Sequence, residues 1–240
     1  SSKSFVDYST SGLENPLSHL ISALFIFVYF KMKEKKNQIL ILSLIASLGL
    51  LTRMDSILLY LPAIVYLTIK SGYKKNILPI IIGFTPFILW SLFSVIYYGY
   101  PFPNTYYAKL NTGVPKAELL SQGLYYFINS IKFDPATLLF IFAGIIFVFI
   151  KREKRRYPLI IGAILYLLYI IYIGGDFMSG RFFSLPLITI MMVALSDLAI
   201  KKDIIKYSLL AFILLLMFFS PGSSVMSDIN YSDKGANFVE

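Results

Sequence analysis

The sequence predicts an all-α protein: a polytopic bundle of transmembrane helices, with about eight membrane segments and an amphipathic helix in the interface. Three observations predict it. The 240 residues are 57% hydrophobic and only 15% charged, with a mean hydropathy of +0.72, well outside the range of soluble domains. The apolar residues come in long runs, and lipid leaves open backbone no partner, so such runs must be helical. Fifteen of the 22 Lys and Arg residues fall in four clusters, residues 31–36, 70–75, 151–156 and 201–206. Each cluster ends an apolar run, where cytoplasmic loops carry positive charge.

That placement accounts for the net charge of +9 through topology and contact with anionic lipid, and it excludes nucleic acid as a partner. Cysteine is absent and His19 is the one histidine, so disulfides, thiolate metal sites and multi-histidine metal sites are excluded. No metal or cofactor is expected.

With the basic clusters inside, an even number of passes must separate each neighbouring pair, and the chain starts outside in polar residues 1–15. Residues 17–30 cross inward. Two passes then fit between Lys36 and Lys70, broken by Thr52, Arg53, Met54, Asp55 and Ser56. At about 16 residues each they span roughly 24 Å, short of the roughly 30 Å hydrocarbon core. The Arg53–Asp55 turn is therefore expected below the outer surface, lining a cavity. Residues 76–98 cross outward, with kinks at Pro79 and Pro86.

A long outer loop follows. Residues 100–107 are extended and punctuated by proline. Residues 115–132 place Leu120, Leu124, Phe127, Ile128 and Ile131 at helical spacing, the pattern of an interfacial amphipathic helix. Residues 137–150 run in and residues 157–173 run out. Residues 174–182 make the outer turn, residues 183–200 return, and residues 207–220 emerge. Glu14, Arg53, Asp55, Asn104, Lys109, Asp176 and Arg181, with Asp7, are thereby gathered on the outer side. Asp197 is the exception and lies near the inner interface, four residues from Lys201.

Each polar group has a plain structural reading and a functional one. Ser11 and Glu14 fit a capping box. A helix starting at Asn15-Pro16 instead leaves Glu14 free to reach a cavity. Arg53 and Asp55, each costing about 2.5–3.5 kcal/mol at a bilayer centre, either close a hairpin as an ion pair or offer a phosphate a guanidinium held by its carboxylate neighbour. The segment from Tyr97 to Lys109 is either an aromatic interface belt or a site where Asn104 meets sugar hydroxyls and Lys109 a phosphate. In residues 174–182, glycines permit a tight turn around Asp176 and Arg181. That pair either closes the loop or deprotonates an acceptor and stabilises a leaving phosphate.

Four segments carry a resemblance in order and spacing: Thr-Ser-Gly-Leu-Glu-Asn-Pro-Leu at residues 10–17, Leu-Thr-Arg-Met-Asp at 51–55, Tyr-Tyr-Gly at 97–99 running to Pro-Asn-Thr-Tyr-Tyr-Ala-Lys at 103–109, and Gly-Gly-Asp-Phe-Met-Ser-Gly-Arg-Phe at 174–182. The chain resembles membrane glycosyltransferases of the GT-C fold, specifically those similar to the terminal β-(1→2)-arabinofuranosyltransferases of mycobacterial cell-wall synthesis. The resemblance implies an inverting glycosyltransferase, at the plasma membrane with its active face extracytoplasmic. It would move a sugar from a polyprenyl-phosphate donor to an acceptor glycan or protein.

Asp176 and Glu14 are then the catalytic candidates in this chain. Arg53, Lys109 and Arg181 hold the departing phosphate, and Asp55, Asn104 and Tyr107 position sugar and acceptor. Residues 1–221 would form the transmembrane domain, and residues 222–240 would begin an extracytoplasmic segment. The family's acidic motif in the first outer loop has no match in residues 1–17. The chain is therefore expected to be a piece of a longer protein, inactive alone, with its leading catalytic acid ahead of Ser1. A transporter or flippase for a lipid-linked sugar is the rival reading.

Overall fold

The computed structural model describes residues 2–33, 35–103, 107 and 113–196. The expected segment at residues 207–220, the fourth basic cluster, Asp197 and residues 222–240 lie outside them, as do Asn104 and Lys109. Among the described residues the chain is all α-helical, joined by turns and two 3-10 turns, with no strand.

Residues 1–15, read from the sequence as a polar segment with no element assigned, contain a helix, α1 (Lys3–Thr10). Ser2 starts it by accepting the Phe5 N–H at 3.0 Å, the usual work of an N-cap hydroxyl. The chain then turns by 113° into α2 (Asn15–Lys31), which has Pro16 in its first turn. Next come α3 (Gln38–Thr52), a 3-10 turn at Met54–Ser56, and α4 (Ile57–Ser71).

Residues 76–98 divide between α5 (Tyr73–Gly83) and α6 (Thr85–Tyr98), bent by 54°. The physical reason is Pro86, which has no N–H to offer the carbonyl four residues back. The predicted amphipathic helix is α7 (Lys116–Phe133), which meets α8 (Pro135–Lys151) at 108°. Leu120, Leu124, Ile128 and Ile131 form its exposed face, while Gly123, Tyr126, Asn129 and Ser130 face the protein. A return by α9 (Tyr157–Tyr172), a 3-10 turn at Arg181–Phe183 and α10 (Ser184–Leu195) complete the described chain.

One helix, Met54–Ser71, is long and apolar enough to cross a membrane by itself, and each of the three bent pairs passes the same test as a unit. The helices Gln38–Thr52, Tyr157–Tyr172 and Arg181–Leu195 are apolar but shorter. On either side of Arg53 the α-helices Gln38–Thr52 and Ile57–Ser71 are 15 residues each.

The core is one continuous cluster that includes Phe25, Tyr29, Leu42, Leu59, Ile141, Ile160, Tyr166, Phe183 and Ile190. At its centre α9 lies against α4 so closely that a Cβ on Gly162 would sit 2.4 Å from the Leu59 carbonyl oxygen. Only glycine fits there, the small-residue contact by which apolar helices approach. The outer surface is unusually apolar: Leu17, Leu20, Leu24 and Phe27 form an exposed stripe on α2, and Leu139, Phe142, Ile146 and Phe149 form one on α8.

Connectivity separates two ends. α2, α4, α8 and α10 run from the end that holds Glu14, Asp55, Asp134 and Arg181 toward the basic clusters, and α3 and α9 return. At the basic end the cluster at residues 151–156 does structural work. Arg155 donates to the Tyr29 carbonyl and lies over the Tyr29 and Phe30 rings. Arg156, 2% exposed, pairs with Glu153 at 2.7 Å and donates from Nη1 to the carbonyls of Val193 (2.9 Å) and Ala194 (3.2 Å).

A cation on the last carbonyls of α10 satisfies orphaned acceptors at the negative end of the helix dipole. Arg156→Met keeps most of the apolar stem and removes these bonds. It is expected to cost about 2 kcal/mol, read as a Tm lowered by roughly 4–8 °C in detergent.

Candidate functional site

Three segments remote in sequence meet at the end opposite the basic clusters. The first is the linker from α1 to α2. Helix α2 starts at Asn15, and Glu14 makes no side-chain cap bond, so the capping box does not form. Glu14 points its carboxylate at two guanidinium groups: Oε1 accepts from Arg53 Nη1 at 3.2 Å and from Arg181 Nη2 at 2.7 Å.

The second segment is the turn from α3 to α4. Residues two apart do not face each other on an α-helix. Here α3 ends at Arg53 in extended backbone and the chain tightens into a 3-10 turn. Arg53 then grips Asp55 as a fork, Nε to Oδ1 at 3.0 Å and Nη2 to Oδ2 at 2.6 Å. The hydroxyl of Tyr166, from α9, donates to Asp55 Oδ2 at 3.2 Å, and the Arg53 guanidinium lies 4.4 Å from the centre of the Phe182 ring. The plain reading of Arg53 and Asp55 as an ion pair holds, and Glu14 extends it to Arg181.

The third segment is the 174–182 loop. Gly175 leaves α9 at φ +79°, in left-handed backbone, and a Cβ there would meet the Tyr126 ring at 2.7 Å. Side chains hold the loop by its backbone. Tyr126 donates to the Met178 carbonyl at 3.0 Å, Tyr8 to that of Ser179 at 2.6 Å, and Ser4 to that of Gly180 at 2.5 Å. Asn129 donates to the Ser179 hydroxyl, and Asn15 and His19 contact the Ser184 hydroxyl at 2.8 and 3.2 Å. So fixed, Arg181 reaches Asp176 with Nη1 at 3.2 Å and Glu14 with Nη2.

Asp134 ties α1 to the corner between α7 and α8 by accepting from the Ser4 N–H at 2.9 Å and from the Thr137 hydroxyl. Burial pushes the Asp134 carboxyl up from its ordinary value, against the pull of these donors.

Glu14, Arg53, Asp55, Asp176 and Arg181 thus form one ion cluster, and the pairs read separately from the sequence are joined. Tyr107, the described member of the aromatic segment's candidates, lies against the rings of Tyr100 and Phe102. Among the described residues, three carboxylates face two guanidinium groups in this cluster. Burial favours the neutral Glu14 carboxyl, but the hydrogen bond from Arg181 and the charges of both arginines outweigh it and hold the group below the usual carboxylate range.

Sequence reasoning missed Tyr166, Tyr8, Ser4, Tyr126 and Asn129. Only Ser4 and Tyr8, one helical turn apart and facing the same loop, left a signal, since such spacing shares a face. Chemically, the arrangement is two forked donors converging on a single anionic oxygen, the geometry that receives phosphate or carboxylate. No family model, no curated protein and no solved structure matches the chain.

Proposed function

We propose that the chain is part of a GT-C type membrane glycosyltransferase that moves a sugar from a polyprenyl-phosphate donor to an extracytoplasmic acceptor glycan or protein. The convergence of Arg53 and Arg181 on one anionic oxygen carries this reading, because an inverting transfer must stabilise a departing phosphate. The apolar outer surface and the separation of the basic clusters from the ion cluster support a multi-pass plasma-membrane protein, with about eight spans and the ion cluster outside.

In the proposed step the acceptor oxygen forms a bond to the anomeric carbon as the bond from that carbon to the phosphate oxygen breaks. The acceptor proton passes to the Asp176 carboxylate, and polyprenyl phosphate leaves onto the arginines. Asp55 orients Arg53 through its fork, and Glu14 bridges the two arginines before the donor enters. Asn104, Tyr107 and Lys109 are assigned to sugar, acceptor and phosphate.

The test supplies membranes containing the full-length protein with a labelled polyprenyl-phosphate sugar and cell-envelope acceptor. Transfer with equimolar release of polyprenyl phosphate is expected. Intact donor moved across the bilayer with no release would sink the proposal in favour of a flippase.

A further inference from the structure

We infer that Glu14 is a place-holder for the substrate's phosphate: its carboxylate fills the anion position between Arg53 and Arg181, and it leaves when a phosphodiester enters. The glycosyltransfer reading supplies the source of that phosphate.

Among the described residues three carboxylates already face the two arginines, and Glu14 Oε1 occupies the position between them, so a phosphate added beside all three would crowd a fourth anionic group into a largely buried site. One carboxylate must go. Asp176 is 2% exposed and Asp55 11%, and Asp55 is gripped by the Arg53 fork and by Tyr166. Glu14 is 25% exposed, the most open of the five, and uses one oxygen to reach both arginines.

Its backbone allows departure. Glu14 ends the short link between α1 and α2, which turns at Gly12 with φ +72° and open space around it. Its side chain caps nothing, so swinging outward breaks only two ion pairs, and the incoming phosphate remakes both. A further observation marks the position as a ligand's. Arg181 Nε is buried with no hydrogen-bond partner, while its two neighbouring nitrogens are engaged. A buried N–H without an acceptor asks for one, and a phosphate has oxygens to spare where a single carboxylate oxygen does not.

The exchange also gives the reaction a direction. A sugar-phosphate diester carries one negative charge and replaces Glu14 one for one. The product is a monoester carrying roughly −1.5 to −2 at neutral pH, so it overfills the position. Return of Glu14 then accompanies product release.

Binding to the purified full-length protein tests this with two probes, inorganic phosphate and a short-chain polyprenyl phosphate. Glu14→Gln removes the competing charge at constant shape, and we expect it to bind both probes at least about tenfold more tightly than wild type. Arg181→Ala is expected to weaken both. A greater affinity for the polyprenyl ester than for inorganic phosphate places the source in the membrane, and equal affinity assigns the position to the phosphate group alone; the tightening supports exchange in either case. Glu14→Ala and the phosphate-induced rise in Tm provide a second route, since a merely structural Glu14 would lose affinity and Tm together. Unchanged or weaker binding in both Glu14 variants, with Arg181→Ala still weakened, overturns the place-holder and leaves the transfer reading standing. Indifference of all three variants to phosphate overturns both.

Discussion

Arg53→Ala is expected to destabilise the protein by about 3–5 kcal/mol, the cost of removing one partner from a buried ion pair. Arg53 is 7% exposed and satisfies two carboxylates at once, Asp55 through a fork and Glu14 through Nη1. Its loss takes one cation from the cluster, removing the fork from Asp55 and one of its two arginines from Glu14. The face resting on Phe182 is lost as well.

Two companions isolate the cause. Arg53→Lys restores the charge without the planar fork and is expected to recover less than half of the loss. Adding Asp55→Asn to Arg53→Ala removes one uncompensated charge and is expected to recover stability, a coupling that a double-mutant cycle reads directly. Unfolding of wild type, Arg53→Ala, Arg53→Lys, Asp55→Asn and the double variant in the same detergent supplies the numbers. A loss under about 1 kcal/mol for Arg53→Ala would mean that the pair is screened like one at a surface.

The class of fold was legible in the sequence because it follows from quantity: residues this apolar, in runs this long, can only be helices if lipid surrounds them. The two ends were legible for a similar reason, since the basic clusters and the isolated acids alternate along the chain. What stayed hidden depends on register. Tyr157, Tyr166, Tyr169 and Tyr172 are indistinguishable in a linear apolar run. Only the seating of α9 on α4 turns Tyr166 toward Asp55.

The bends were legible where proline sets them, as at Pro86, and where an interfacial helix gives way to a crossing run, as before Pro135; the 113° turn between α1 and α2 was hidden. The site was read as two local acid–base pairs because Arg53 with Asp55, and Asp176 with Arg181, are close in sequence. The joining of those pairs through Glu14 needs the 113° turn between α1 and α2, which Ser-Gly-Leu-Glu does not announce. The same four residues look like a capping box, and local chemistry alone could not exclude it.

Arg181→Ala and Asp176→Asn are expected to reduce sugar transfer by about 10²–10³-fold, the scale of losing a preorganised donor to a developing anion. Arg181→Ala also takes an arginine from Glu14 and from the buried Asp176, so a cost in stability accompanies the loss of activity, while the backbone of the loop keeps its anchors. The loop that carries Arg181 is fixed by Tyr126, Tyr8 and Ser4 through the carbonyls of Met178, Ser179 and Gly180, none of which involves the arginine side chain. Truncating Arg181 therefore leaves those backbone anchors in place while the departing phosphate loses one of its two forked donors.

Asp176→Asn keeps the shape and removes the charge that aims Arg181, besides removing a candidate base. The two variants differ in what they do to binding. Arg181→Ala should weaken affinity for polyprenyl phosphate, because its donors meet the product as well as the transition state. Asp176→Asn should leave that affinity near wild type if Asp176 serves as base, and lower kcat alone. Steady-state transfer and product binding, measured on full-length protein at a temperature where each variant's unfolding profile shows it folded, separate these roles. Transfer at the wild-type rate in both variants would remove the 174–182 loop from the site.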